Sequence, residues 1–158
     1  MAYNFNADEI FEMAKQLERN GAKFYRNAAA AVKKNDEKSF LLELAAMEDE
    51  HEKTFAAMQK ELSDHEKQGT VFDPDEESCL YLMALADTKV FFEKPEPGSV
   101  MREILKSAIT AEKDSIVFYL GMKGLVPEKL GKTRIDGIIK EEMGHIRILA
   151  RKLKDLAS

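Results

Sequence analysis

The sequence is short of the residues from which many small metal and redox sites are built. It has one cysteine, Cys79, so no internal disulfide can form and no Cys-x-x-Cys pair is present to hold zinc or an iron–sulfur cluster. Cys79 reads instead as a small buried hydrophobe. Tryptophan is absent, and 8 glycines and 4 prolines leave few turns. No stretch alternates β-branched with polar residues, so strands are not expected. No segment approaches the ~20 apolar residues that span a bilayer. The start, Met1-Ala2-Tyr3-Asn4-Phe5-Asn6, lacks the basic and apolar parts of an export signal, so a cytoplasmic location without a membrane partner is the expectation. Positive charge is also in deficit: the net charge of −5 argues against a nucleic-acid partner. What remains, 44% apolar and 34% charged residues in 158, describes an all-α protein forming a single domain over 1–158.

What the chain does have is one pattern written twice. Glu18 precedes Glu48-Asp49-Glu50-His51 by 30 residues, and Glu112 precedes Glu142-Met143-Gly144-His145 by the same 30. A Glu and a His three apart project from one face of a helix, so each Glu-x-x-His aims a carboxylate and an imidazole at one point. With 19 Glu in the chain, a given His finds Glu at that distance by chance with probability about 0.12, so one pair is weak evidence and this pair of pairs is strong. The offset of 94 that superimposes the ligands also superimposes Ile10 on Ile104, Ala14 on Ala108, Phe24 on Phe118, Tyr25 on Tyr119 and Leu62 on Leu156. Two related helical hairpins are expected.

Along the chain, Asn6 or Asp8 caps a first helix with the stripe Phe11, Ala14, Leu17, Glu18, Gly21, Phe24, Tyr25, Ala28. Lys15 is the one cation within helical reach of Glu18, and a surface pair between them is the alternative to a buried ligand. Asn35-Asp36 caps a second helix with Leu41, Leu44, Ala45, Glu48, His51, Phe55, Met58 and Leu62 on one face. A polar stretch from Ser63 to Gly69 leads to Asp73-Pro74-Asp75-Glu76-Glu77, the start of a short extra helix that ends before Pro95-Glu96-Pro97-Gly98. A connection of this length can carry the chain along the whole bundle, so helices two and three can run parallel. Ser99 caps the third helix, with Ile104, Leu105, Ala108, Ala111, Glu112, Ser115, Ile116 and Tyr119. Gly121, Gly124 and Pro127 end or bend it. The last helix carries Ile135, Ile138, Ile139, Glu142, His145, Ile146, Leu149, Leu153 and Leu156.

Four carboxylates and two imidazoles facing one another in a helical bundle make the ligand set of a carboxylate-bridged di-iron or di-manganese centre. By symmetry Glu18 and His51 serve one ion, Glu112 and His145 the other, and Glu48 and Glu142 bridge. Two iron ions are the expected cofactor, with manganese or a mixed pair as alternatives. A closed zinc site would favour cysteine. Glu141, Glu50 and Glu52 fall off the ligand faces and read as surface groups or as supports behind the ligands. His65 lies in the polar connection without a Glu three residues before it. Tyr25 and Tyr119 follow Glu18 and Glu112 by two turns on the same face, where a phenol can donate to a carboxylate or simply pack.

Through Glu18, Glu48-x-x-His51, Glu112 and Glu142-x-x-His145, the chain from Asp8 to Leu156 resembles the rubrerythrin and bacterioferritin branch of the ferritin-like superfamily. Glu18 followed by Tyr25 looks like the first helix of a rubrerythrin. The resemblance implies a ferritin-like four-helix bundle with a long crossover between helices 2 and 3. It also implies a non-haem di-iron centre that reduces hydrogen peroxide, a homodimer or higher homo-oligomer, and a partner that donates electrons. Two departures shape the expectation. The two Cys-x-x-Cys pairs of a rubredoxin domain are missing, so electrons are expected from a separate rubredoxin-like protein. Ser115 stands where rubrerythrins carry a further carboxylate, which implies a six-ligand centre like that of bacterioferritin. Oxidation of Fe(II) by O₂ and iron storage are therefore the alternative, although the chain ends 13 residues after His145, short of the fifth helix of that cage. Met47 and Met58 are explicable as packing rather than as haem ligands. A di-iron hydroxylase is a third reading.

Overall fold

The structure, a computed structural model, describes residues 7–62, 98–124, 126 and 128–156. Four long helices make up this part: α1 (Ala7–Ala31), α2 (Asn35–Lys60), α3 (Met101–Lys123) and α4 (Glu128–Leu156). The short helix expected between Asp73 and Phe92, and with it Cys79 and His65, lies outside the described residues. Helix α1 packs along α2 and α3 along α4, and the two hairpins meet through α1 on α3 and α2 on α4.

Cross-helix contacts fix the directions. Lys15 reaches Gln59 while Arg26 reaches Asp49, so α1 and α2 are antiparallel. Tyr25 meets Glu112 while Tyr119 meets Glu18, so α1 and α3 are antiparallel as well. His51 meets Glu141 and His145 meets Met47, which sets α2 against α4 in the same sense. Helices α2 and α3 therefore run parallel, as the long connection allows.

The predicted stripes are the buried faces. Two apolar clusters fill the bundle, one at each end. Phe11, Leu17, Phe55, Met58, Phe118, Tyr119 and Ile135 belong to the first, and Phe24, Tyr25, Leu41, Leu44, Ile104, Leu105 and Leu149 to the second. Sequence-equivalent residues fall at opposite ends: Ile10 in one cluster and Ile104 in the other, Phe118 in one and Phe24 in the other. A two-fold axis across the bundle requires that exchange. The carboxylates and imidazoles occupy the layer between the clusters. Each buried carboxylate opposes folding by several kcal/mol unless compensated, and each fully buried Leu, Ile or Phe returns about 1.5–3 kcal/mol. The apolar ends thus hold the polar layer together.

The helix starts differ from expectation. Lys34 occupies the N-cap of α2 and Val100 that of α3, neither with a side-chain cap bond, so Asn35 and Ser99 are not caps. The stability of these long helices comes from their packed faces rather than from capping. Helix α3 runs through Gly121 and stops at Gly124, a right-handed C-cap with φ −75°. Leu156, in the last turn of α4, is exposed rather than packed like Leu62.

Candidate metal centre

Each of the four helices brings its part of the pattern to one point. Glu18 from α1, Glu48 and His51 from α2, Glu112 from α3, and Glu142 and His145 from α4 are all buried, none more than 4% exposed. Burial of Glu18 removes the surface alternative: Lys15 pairs with Glu12 at 2.8 Å and Gln59 at 2.9 Å instead. His51 Nδ1 lies 3.6 Å from Glu18 Oε2, 3.7 Å from Glu48 Oε2 and 2.7 Å from Glu142 Oε1. His145 Nδ1 lies 3.4 Å from Glu112 Oε1, 3.5 Å from Glu48 Oε1 and 3.5 Å from Glu142 Oε2. Glu48 and Glu142 thus each turn one oxygen toward either imidazole. The donors fall into two groups, Glu18, Glu48, His51 and Glu142, and Glu48, Glu112, Glu142 and His145, with each group's ligand atoms within 4.8 Å of one another.

Five atoms of this layer are buried without a hydrogen-bond partner: Glu18 Oε2, both carboxylate oxygens of Glu142, and Nδ1 of His51 and His145. The short approach of His51 Nδ1 to Glu142 Oε1 does not have hydrogen-bond geometry. Buried polar atoms in native folds are nearly always paired, and an orphan costs about 1–3 kcal/mol. Lone pairs converging from oxygen and nitrogen are what a cation needs, and the two overlapping groups fit two cations that share Glu48 and Glu142. Oxygen and imidazole donors without thiolate suit iron or manganese.

Electrostatics point the same way. Burial, followed by the charges of Glu142 and Glu18, pushes the Glu48 carboxyl up to about 8. Burial also raises Glu18, Glu112 and Glu142, each with a second carboxylate adding to the shift. For the imidazoles burial opposes the charge, but surrounding carboxylates overcome it. Glu112, Glu142 and Glu48 push His145 up to about 12, and Glu142, Glu18 and Glu48 push His51 up as well. Such a cluster holds protons that a metal would displace on binding.

The two tyrosines complete the symmetry. Tyr25 Oη donates to Glu112 Oε1 at 2.6 Å and Tyr119 Oη to Glu18 Oε1 at 2.5 Å, both buried. Each phenol therefore serves the carboxylate of the other hairpin rather than the one on its own helix. Burial and the neighbouring carboxylates hold both phenols well above their ordinary value, so they stay protonated donors. Glu50 pairs with Lys53 and Glu52 with Arg19 on the surface. Glu141 hydrogen-bonds His51 Nε2, and Met47 Sδ lies 3.1 Å from His145 Nε2. Met47 is thus a contact of the centre that stripe reading assigned to packing. The duplication itself carries the signal, since Met47 and Glu141 are equivalent positions, each just before a shared Glu. Ser115 is half-buried and donates to its own helix at Ala111 O. It lines a small pocket with Leu17, Gly21, Phe24, Tyr25 and Ala111 that reaches Glu48 and Glu112. Gly21 borders this pocket closely: a Cβ there would stand 3.5 Å from the Glu48 carboxyl carbon, an ordinary van der Waals distance.

No protein-family model and no curated protein matches the chain. Among solved structures, it is similar to a candidate ferritin-like diiron-carboxylate protein from Thermotoga maritima, with a TM-score of 0.70 and 26% identity over 98% of each chain. The fold is therefore the all-α ferritin-like one. Together with the buried cluster, the likeness supports the ferritin-like di-iron superfamily without singling out its rubrerythrin branch. Among the described residues no helix is long and apolar enough to cross a membrane.

Proposed function

We propose that the protein is a non-haem di-iron oxidoreductase that reduces hydrogen peroxide to water with electrons from a separate donor protein. The observation that carries this reading is the pair of donor groups sharing Glu48 and Glu142, buried between apolar clusters and reached by a small pocket. Two ferrous ions held there would supply the two electrons that peroxide reduction consumes. Glu18 and His51 would hold one ion, Glu112 and His145 the other. Tyr25 and Tyr119 fix the outer carboxylates and keep a proton at their hydroxyl oxygens, while the phenylalanine-rich ends exclude bulk water. The small pocket beside Gly21 and Ser115, which reaches Glu48 and Glu112, marks the side from which this reading brings the oxidant to the centre. Within these 158 residues one cysteine cannot build a Cys₄ iron relay, so the reading takes its electrons from a rubredoxin-like carrier.

One observation favours a second reading. The small Ser115 leaves six ligands rather than seven, the count expected of a bacterioferritin-like ferroxidase that oxidises Fe(II). Stopped-flow oxidation of protein loaded anaerobically with two Fe(II) per chain separates them. The reductase should react faster with hydrogen peroxide than with O₂ and consume no iron beyond two ions per chain. Slow reaction with peroxide and continued uptake of Fe(II) into a soluble core would overturn it in favour of the ferroxidase.

A further inference from the structure

Behind the imidazoles, the two halves of the centre differ at a pair of equivalent positions. Behind His51, on the side away from the carboxylates, Nε2 meets the carboxylate of Glu141. Behind His145, the same nitrogen meets the thioether of Met47 at 3.1 Å. The two imidazoles lie nearly parallel, 5.7 Å apart with planes 19° off, and both turn Nδ1 toward the cluster. An imidazole that ligates through Nδ1 carries its proton on Nε2, so that N–H must be donated outward. A carboxylate is a strong, charged acceptor that pulls on the proton, orients the ring and makes the ligating nitrogen more basic. A thioether is a weak, neutral acceptor that does little of this.

We infer that the two metal positions are unequal: the position held by His51 binds its ion more tightly and fills first, because Glu141 stands behind its imidazole where Met47 stands behind that of His145. This rests on the reading of the six residues as a two-metal centre. Glu141 acts as a positioning residue, touching the imidazole rather than the ion. The ion on the Glu112 and His145 side is then the exchangeable one of the pair.

Titration of metal-free protein with Mn(II), read by calorimetry and by electron paramagnetic resonance, tests the inference. Two binding steps should appear, separated by roughly 10–100-fold in Kd. The isolated-ion signal should come first and give way to a coupled-pair signal as the second ion enters. His145→Ala should keep the tight step, and His51→Ala only the weak one. Met47→Glu supplies the missing carboxylate at a position already 39% exposed, and it should tighten the second step toward the first. Glu141→Met should weaken the first step toward the second. Equal affinities in the unmodified chain, or a gap that Met47→Glu leaves unchanged in a protein with unaltered melting, would overturn the inference while the centre stands. Failure to bind Mn(II) at all would overturn both.

Discussion

Metal-free protein should lose stability as pH rises, the reverse of acid denaturation. The Glu48 carboxyl sits at about 8 in the fold against an ordinary 4.5, with burial as the main cause. Between those two values the native chain keeps a proton that the unfolded chain releases. Stability therefore falls with rising pH by about 1.4 kcal/mol per unit for that one proton. From pH 5 to pH 7 Glu48 alone removes roughly 2–3 kcal/mol. At 2–4 °C per kcal/mol for a chain of this size, the midpoint drops by roughly 4–12 °C. Glu18, Glu112 and Glu142 are raised too and add loss of the same sign, and the raised imidazoles extend it above pH 6.5. Metal reverses the slope, because bound ligands are deprotonated and protons compete with the ion. Thermal unfolding followed by circular dichroism at pH 5, 6 and 7, with chelator and then with Mn(II) in excess, measures both slopes. A metal-free midpoint that climbs steadily from pH 5 to pH 7 would refute a carboxylate cluster in the core.

Single changes at the cluster, such as His51→Ala or Glu142→Ala, should reduce bound metal below two ions per chain by elemental analysis. Glu50→Ala, which removes only an exposed pair with Lys53, should not. Tyr119→Phe leaves Glu18 Oε1 without its donor and should lower metal-free stability by about 1–3 kcal/mol in urea unfolding, with two ions still bound. Filling the pocket by Gly21→Leu should slow oxidation by peroxide at unchanged metal content, whereas Gly21→Ala, whose Cβ meets ordinary van der Waals distances, should change little. Phe55→Ala, at a fully buried ring packed on Phe11 and Tyr119, should lower stability by about 3–5 kcal/mol.

Much of this architecture is legible along the chain because its signals are periodic. Steps of three and four place Glu18 among Leu17, Phe24 and Tyr25, and the helix then has no choice about which side the carboxylate faces. Repetition does the rest, since two hairpins built on one pattern close on themselves about a two-fold axis, and their carboxylates meet at that axis. What lies across the interface is another matter. That Tyr25 serves Glu112, and Tyr119 serves Glu18, follows from α1 running antiparallel to α3, which no helical period encodes. The helix starts also depart from what residue type suggests. Asn35 and Ser99 are good cap residues by type, yet Lys34 and Val100 take the cap positions without a side-chain bond, so residue type alone does not set where each helix begins. The most telling omission is Met47, which stripe reading treats as packing because it judges each helix alone. Only when α2 lies against α4 does the duplication bring that thioether to the imidazole it faces, opposite the carboxylate of Glu141. Identical ligands then have unlike surroundings, and the symmetry that makes the site recognisable is broken where the two metal positions would be told apart.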